Sequence, residues 1–537
     1  MQFDLSTVDV DKVPYAALLA NLLGSLDTES YGYGDLEKEI YKCSGGIFCE
    51  TSNAEHTKTH QLDARFVVSS KATAENFPRM LELMNEILFK TKFEDQERIG
   101  QQITQMKSGM EMQAQSNGIN LALTRIRSYF SPMFKYRDRL SGVDQLRFLQ
   151  DLEKRYAEDP DSVLEELRAV AGQIFNRKGL VVGVAADEAD YPAFEEAFSG
   201  YLNELPNEDL ENGKFDIEAE KLNEAFATNA NINYVVAGGD LKTVLDQVDG
   251  STRLLTNILD NNYLYTELRQ KGGAYGAYSL VDNYGNLLFY TYRDPKIVES
   301  LDVFRGAGKF LSEYEVSQED LDQQIIGYFK AYPTTPEAIA SLICYREING
   351  QTNEDFLKEA EAVVSMTPEK IRAFGAAIDK IMDENNICVF GNSKQVKALE
   401  EGVFDAIVPI VPGQKDAPEM RFESYVVQEG DNLESILLGH YSEDQLTQEL
   451  VNAFFDANMA NIAEDGSIEP GTELQLPLVE GGEEGTEDEE APMGETEEEA
   501  AEESQEESAE ESSEASGEES PESEESAEEE SSEEKAA

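Results

Sequence analysis

The stretch best suited to chemistry covers residues 265–278 and reads Tyr-Thr-Glu-Leu-Arg-Gln-Lys-Gly-Gly-Ala-Tyr-Gly-Ala-Tyr. Gly272 and Gly273 free the backbone to turn and let another chain approach closely. Arg269 offers a fork of N–H donors for a carbonyl or carboxylate. The hydroxyl of Tyr275 could polarise a carbonyl that becomes an oxyanion. The alternative is an ordinary helix-to-strand turn with a surface arginine and a core tyrosine, and composition alone favours that alternative.

Histidine is the commonest metal ligand in proteins, and the chain has three histidines, His56, His60 and His440. The first two are four residues apart, so on a helix they would share a face and could bind a metal. Residues 51–60 are polar and rich in turn formers, however, which predicts a strand or loop. We therefore expect exposed histidines and no metal site in this chain.

The formal net charge is −66, from 43 lysines and arginines and 109 aspartates and glutamates. This charge excludes ordinary nucleic-acid binding, which needs a basic surface to displace counterions, and it disfavours an anionic membrane surface. Basic peptides would be attracted over a long range. Residues 480–537 hold 28 acidic residues and one lysine, a net of −27, so −39 remains on residues 1–479.

The four cysteines, Cys43, Cys49, Cys344 and Cys388, form no Cys-x-x-Cys pair. We expect buried free thiols, as in proteins of a reducing compartment. No signal peptide is visible, and no apolar run reaches the roughly 18 residues of a membrane span. These observations favour a cytoplasmic location.

The apolar pattern predicts an α+β protein with two tandem related domains, residues 1–225 and 226–412. Each block runs from strand to helices, strands, long helices, a late strand and a helix. A buried strand is predicted over 179–186, and the polar residues 203–225 indicate a linker. Residues 1–6 read as the tail of a strand already under way. We therefore expect the first domain to be incomplete, through a misplaced start codon or because the chain is one piece of a longer protein.

Residues 268–278 and the following Phe-Tyr-Thr-Tyr-Arg-Asp-Pro at 289–295 closely resemble the C-terminal half of pitrilysin/insulinase-type metallopeptidases, in the presequence-protease branch. The resemblance covers roughly residues 1–405. Further stretches that agree, in the order the family has them, are residues 31–40, 45–47, 128–132 and 145–149.

That resemblance implies four related α+β domains, in two halves around a closed chamber. The N-terminal half of such enzymes carries His-x-x-Glu-His and a distal Glu, which bind zinc and activate water. The C-terminal half contributes an Arg and a Tyr that hold the substrate backbone, and these roles fall on Arg269 and Tyr275, with Gly272 and Gly273 between them. The motif is absent here, since residues 14–19 read Pro-Tyr-Ala-Ala-Leu-Leu. The chain should therefore be inactive alone and need a zinc-bearing partner half.

The C-terminal region divides into a small unit, residues 424–478, and a Glu/Ser-rich tract, residues 479–537. The small unit resembles a LysM module, a βααβ fold that often binds N-acetylglucosamine polymers; the alternative is a packing module without glycan affinity. The tract has too few apolar residues to fold and should be disordered. It is either a solubilising segment or an attractant for basic peptides.

Two functions remain open at this point. The first is the substrate-binding half of a peptidase that degrades unstructured peptides. The second is a non-enzymatic scaffold or glycan-binding protein whose working part is the LysM-like unit. A neighbouring reading frame with His-x-x-Glu-His would favour the first function.

Overall fold

The computed structural model describes residues 1–56, 58–59, 61–329, 336–399, 401–413, 421–442, 445–458, 461–462 and 466–478. These residues form an α+β structure, as the sequence predicts. Two sheets with their helices, called here the first and the second domain, precede a small C-terminal unit. The tract 479–537, predicted to be disordered, lies outside the described residues.

The first domain is built on a three-stranded antiparallel sheet with the strand order β1-β3-β2. Its strands are β1 (Gln2–Asp4), β2 (Ile47–Glu55) and β3 (Leu62–Ser70). The strand predicted over 179–186 is wrong: only Val181 reaches the sheet, through a bridge to Gln2. Because β1 offers only three residues for pairing, the apolar run after Val181 has no strand to join.

Helices cover the sheet of the first domain, and polar side chains fix where several of them begin. The side chains of Asp95, Ser131 and Asp159 each accept a hydrogen bond from the backbone N–H three residues later. The helices are α1 (Val13–Leu22), α2 (Tyr33–Cys43), α3 (Phe77–Lys90), α4 (Gln96–Ser116), α5 (Ile119–Arg127), α6 (Pro132–Ser141), α7 (Val143–Glu158), α8 (Pro160–Ile174) and α9 (Tyr191–Glu204).

The second domain has a six-stranded sheet with the order β6-β7-β5-β8-β4-β9, so β6 and β9 are its edges. Strand β4 runs parallel to β8 and β9, and the other pairs are antiparallel. The predicted boundary at residues 225/226 falls inside β4. The strands are β4 (Asn223–Thr228), β5 (Tyr234–Asp240), β6 (Gly276–Val281), β7 (Asn286–Tyr292), β8 (Ile387–Asn392) and β9 (Ala406–Pro409).

Helices of the second domain pack on one face of this sheet, around Ala225, Val235 and Phe289. A π helix, Asp260–Gln270, continues directly from α10. Among the helices of the described residues, none is long and apolar enough to cross a membrane. The α-helices are α10 (Gly250–Leu259), α11 (Val298–Ser312), α12 (Gln318–Tyr328), α13 (Pro336–Asn349), α14 (Asn353–Val364), α15 (Pro368–Asp383) and α16 (Ser393–Ala398).

The opposite face of the six-stranded sheet is covered by helices of the first domain. Tyr234 and Phe390 on this face share one apolar core with Leu121 and Ile126 of α5 and Leu146 of α7. Most of these side chains are fully buried. The sheet of the second domain therefore takes its second helical layer from the first domain.

A buried group of charges lies in the same contact between the domains. Arg125 of α5 donates from Nε to Glu224 of β4 at 2.6 Å, and from its terminal nitrogen to Asp138 at 2.7 Å and Asp144 at 3.0 Å. The hydroxyl of Tyr129 also donates to Glu224, at 2.9 Å. Burial raises the pKa of Asp138, and the charge of Arg125 opposes that shift. This cluster binds α5 and α6 of the first domain to β4 of the second.

The C-terminal unit pairs β10 (Phe422–Val426) with β11 (Glu473–Pro477) in an antiparallel ribbon. Between the strands lie α17 (Leu433–His440) and α18 (Gln448–Asn458). Ile436, Phe454 and Leu474 belong to a separate apolar core within this unit. The element order is β-α-α-β; its assignment to the LysM class stays a prediction.

Deleting residues 479–537 should leave the folding transition nearly unchanged. The tract has a net charge of −27 and few apolar residues, so it adds only repulsion to an acidic body. Salt screens such repulsion within roughly 8–10 Å at physiological strength. Thermal melts of full-length and truncated protein should give the same or a slightly higher Tm on truncation, with a difference that shrinks in added salt. A clear drop in Tm would contradict the prediction.

Candidate functional site

The predicted site begins on the π helix. Hydrogen bonds in this segment run from residue i+5 to residue i, as in the bond from Lys271 N to Thr266 O at 3.1 Å. π-helical segments are rare and often occur at functional sites. Arg269 lies in the last turn of this helix, next to β6 at the edge of the six-stranded sheet.

Gly272 and Gly273 are both required by the turn that follows the helix. Gly273 has φ of +87°, a left-handed conformation that other residues adopt only under strain. Its N–H donates to the carbonyl of Arg269 at 3.2 Å. A Cβ at Gly272 would clash with the carbonyl oxygen of Leu268. The pair therefore closes the helix and turns the chain back toward β6.

The structure brings Arg269 and Tyr275 together across this turn. The Arg269 guanidinium lies 5.6 Å from the ring centre of Tyr275 and 5.4 Å from that of Tyr265. Arg269 is half-buried, whereas the two tyrosines are 45% and 43% exposed. Such cation–π contacts contribute about 0.5–1 kcal/mol at exposed sites. The guanidinium of Arg269 and the phenol of Tyr275 therefore lie side by side on an accessible surface.

The position of Tyr275 depends on residues that have no role in the prediction from sequence. Tyr275 N donates to the carbonyl of Arg293 at 3.4 Å, and Arg293 itself has φ of +52°. The next residue, Asp294, is buried and accepts hydrogen bonds from Lys296 N at 2.9 Å and Ser300 Oγ at 2.7 Å. The residues Arg-Asp-Pro at 293–295 belong to the motif that resembles the family. The sequence did not show that their turn positions Tyr275.

Further tyrosines extend the exposed surface along β6 and β7. Tyr278 of β6 lies directly opposite Tyr290 of β7, with ring centres 5.4 Å apart. Tyr292 is 6.0 Å from the ring of Tyr275. No other strand of the described residues pairs with the outer edge of β6. Beside Arg269 there is thus a sheet edge, flanked by aromatic rings, that no strand of the described residues covers, although Asp260 of the π helix accepts the Ser279 N–H there.

The two histidines that the structure describes, His56 and His440, belong to no metal site. His56 follows β2 in a turn, where its Nδ1 accepts from the backbone N–H groups of Lys58 and Thr59 at 3.3 and 3.2 Å. His60 lies outside the described residues, and His440 packs on the ring of Tyr425. Over the part of the chain that the structure describes, no three His, Cys, Asp or Glu residues are grouped so that they could hold a metal ion. These residues do not fit a zinc ion.

Three of the four cysteines are described with their side chains, and all three are free thiols. Cys43 and Cys388 are buried and Cys49 is half-buried. Burial raises the pKa of Cys49 to about 12, so its thiol stays protonated and unreactive near neutral pH. The side chain of Cys344 lies outside the described part.

Two family descriptions match this chain in succession. Residues 1–152 match a family of domains associated with the peptidases of M16 subgroup C, and residues 223–393 match the PreP C-terminal domain. The chain is thus related to the pitrilysin-type peptidases of the M16 group. Within that group, it corresponds to the C-terminal half of the presequence-protease branch.

Two proteins of similar sequence agree with this placement. Protein HypA of Clostridium perfringens is 31% identical over 413 residues, which cover 76% of this chain and 42% of that protein. Presequence protease 1, chloroplastic/mitochondrial, of Arabidopsis thaliana is 25% identical over 401 residues, 74% of this chain and 37% of that protein. The chain therefore spans about two fifths of the length of these relatives. The peptidase M16 inactive domain from Pseudomonas fluorescens, a solved structure, has 16% identity and a TM-score of 0.49, covering 72% of this chain and 90% of that one.

Proposed function

We propose that this chain is the substrate-binding half of a zinc peptidase that degrades unstructured peptides inside a closed chamber. Its partner is an N-terminal half that carries His-x-x-Glu-His and holds the zinc, as a separate subunit or as part of the same protein. The observation that carries the proposal is the pairing of Arg269 with Tyr275 beside the open edge of β6.

The chemistry follows from what these two side chains offer. The Arg269 guanidinium can donate hydrogen bonds to a backbone carbonyl of the peptide. The Tyr275 hydroxyl can donate to the same oxygen, most strongly when negative charge develops on it. The outer edge of β6 can hold the peptide extended through main-chain hydrogen bonds. This half therefore binds and polarises the peptide, while the partner half supplies the metal that activates water.

The acidic surface and the free thiols extend this proposal. Residues 1–479 carry a net charge of −39, which attracts basic peptides from a distance. The free thiols of Cys43, Cys49 and Cys388 suit a reducing compartment, and we place the protein in the cytoplasm.

The isolated chain should bind little zinc and should not cleave peptides. The reason is chemical, because the sequence lacks His-x-x-Glu-His and has only three histidines. Metal analysis of the purified chain, together with a peptide-cleavage assay without the partner half, checks this result. One tightly held zinc per chain would show that the chain builds a metal site of its own.

A glycan-binding scaffold is the second candidate, and the C-terminal unit favours it. This unit has its own apolar core and the β-α-α-β order of the module that it resembles. Sedimentation of the chain with insoluble N-acetylglucosamine polymer tests the idea, with a chain that ends at residue 420 as the control. Co-sedimentation that depends on residues 421–478 would support glycan binding, and equal recovery of both chains would exclude it.

A further inference from the structure

Four residues at the outer end of β6 and β7 lie on the same face of the six-stranded sheet. The register pairs Gly276 with Tyr292 and Tyr278 with Tyr290, and alternate residues of a strand point to the same face. Leu288 continues this row on β7 and belongs to the apolar core shared with the first domain. The four residues are therefore on the face that helices of the first domain cover further along the sheet.

The cover from the first domain ends before the outer end of this row. Leu288 is 0% exposed, whereas Tyr278 is 42% exposed. The ring centres of Tyr278 and Tyr290 are 5.4 Å apart. The ring of Tyr292 packs at 5.5 Å against that of Tyr234, which is buried. The rings of Tyr278, Tyr290 and Tyr292, here called the aromatic shelf, thus rest on a buried core at one side and meet solvent at the other.

Gly276 leaves room for the exposed ring of the aromatic shelf. A Cβ on Gly276 would lie 2.6 Å from Cε2 of Tyr278 and 2.9 Å from its hydroxyl oxygen. The Tyr278 ring therefore lies back over the backbone of Gly276, toward Tyr275. The ring centre of Tyr275 is in turn 6.0 Å from that of Tyr292. The aromatic shelf is thus continuous with the pair formed by Arg269 and Tyr275.

We propose that the aromatic shelf binds an aromatic side chain of the peptide, and that Tyr278 is the residue that determines this specificity. The inference rests on the proposed function, because the side chain belongs to the peptide held by Arg269 and Tyr275. An extended peptide advances about 3.3 Å per residue. Since Tyr278 follows Tyr275 by three residues, the bound side chain lies about one to three residues from the carbonyl that the pair holds.

The charges near the aromatic shelf disfavour other classes of side chain. A lysine or arginine of the peptide would approach the positive charge of Arg269, whose guanidinium is 5.6 Å from the ring centre of Tyr275. An aspartate or glutamate would meet the net charge of −39 on residues 1–479. Aromatic rings gain from offset or edge contacts with other rings at centre distances of about 4.5–7 Å. An aromatic side chain therefore gains more on the shelf than an aliphatic one of similar size.

Tryptophan fluorescence tests the proposal on the full chain, because the chain itself has no tryptophan. A short unstructured peptide of glycine, serine and lysine with one central tryptophan is titrated with the chain. The same peptide with alanine in that position is measured by competition. The tryptophan peptide should bind about tenfold more tightly, as expected for partial burial of one aromatic side chain.

The two peptides separate this proposal from the proposed function. Equal affinities would overturn the aromatic shelf as a binding site and leave the substrate-binding role intact. If neither peptide binds, the substrate-binding role fails and the shelf fails with it. Arg269→Ala should weaken both peptides by the same factor, because the guanidinium contacts the peptide backbone and not the side chain on the shelf.

Two variants of the shelf add a second readout. Tyr278→Ala removes the exposed ring, and Gly276→Ala keeps it but displaces it from its place over the strand. Each should weaken the tryptophan peptide about fivefold and leave the alanine peptide unchanged. Tyr41→Ala, which removes an exposed tyrosine of α2, is the control and should change neither affinity. Wild-type affinity for the tryptophan peptide in folded Tyr278→Ala would overturn the proposal. If Tyr278→Ala does not fold, wild-type affinity in Gly276→Ala would overturn it instead.

Discussion

Replacing Arg269 with alanine should lower kcat/KM for an unstructured peptide by about 100- to 1,000-fold when the chain is combined with the zinc-bearing half that we propose as its partner. The guanidinium lies beside Tyr275 and supplies a planar fork of charged donors. Removal of an interaction made mainly in the transition state lowers kcat, whereas removal of uniform substrate binding raises KM. Steady-state kinetics on the recombined halves separates the two effects.

Tyr275→Phe should produce a loss of similar size, because it removes the hydroxyl and keeps the ring that lies near Arg269. Arg305→Ala is the matched control, since Arg305 is an exposed arginine on α11 that pairs with Asp302. It should leave kcat/KM unchanged. Wild-type rates in both Arg269→Ala and Tyr275→Phe would show that the roles implied by the family resemblance do not apply to these residues.

The second large effect concerns stability. Arg125→Ala should destabilise the chain by about 3–5 kcal/mol, because it leaves Glu224 and Asp138 buried without their counter-charge. Arg125 is only 4% exposed, and Glu224 and Asp138 are also buried, so bulk water does not reach these carboxylates. The shift of the unfolding midpoint in urea, followed by circular dichroism, measures the loss.

Arg305→Ala serves again as the control, now for stability. Its ion pair with Asp302 is exposed, and such pairs contribute about 0–1 kcal/mol. An Arg125→Ala chain as stable as Arg305→Ala would mean that the buried carboxylates take up protons or water at little cost. The ion cluster would then not hold the two domains together.

The sequence predicted the class of fold and the stretch around the site because both depend on local patterns. Apolar spacing identified most helices, and the Gly-Gly pair marked the turn that the φ of Gly273 confirms. The order of several separated motifs indicated the family, which the matches at residues 1–152 and 223–393 bear out.

What the sequence missed depends on partners far along the chain. The linker predicted over 203–225 is wrong at its end, because residues 223–225 begin β4, which β8 and β9 flank on both sides. The strand predicted at 179–186 does not form, because the three-residue strand β1 is all that it could pair with, and only Val181 bridges to it. The contact between Asp260 and Ser279 joins residues 19 positions apart across a π helix, and no periodicity signals it.

The helical layer shared between the domains constrains how such a peptidase half can move. A hinge needs a segment where few contacts cross, but an apolar core and a buried ion cluster both span the junction between α5, α7 and the six-stranded sheet. Swinging one domain against the other would expose these side chains to water. The two domains must therefore move together as one rigid body. In the proposed two-part enzyme, the bending that opens the chamber to peptides belongs to the connection with the zinc-bearing half.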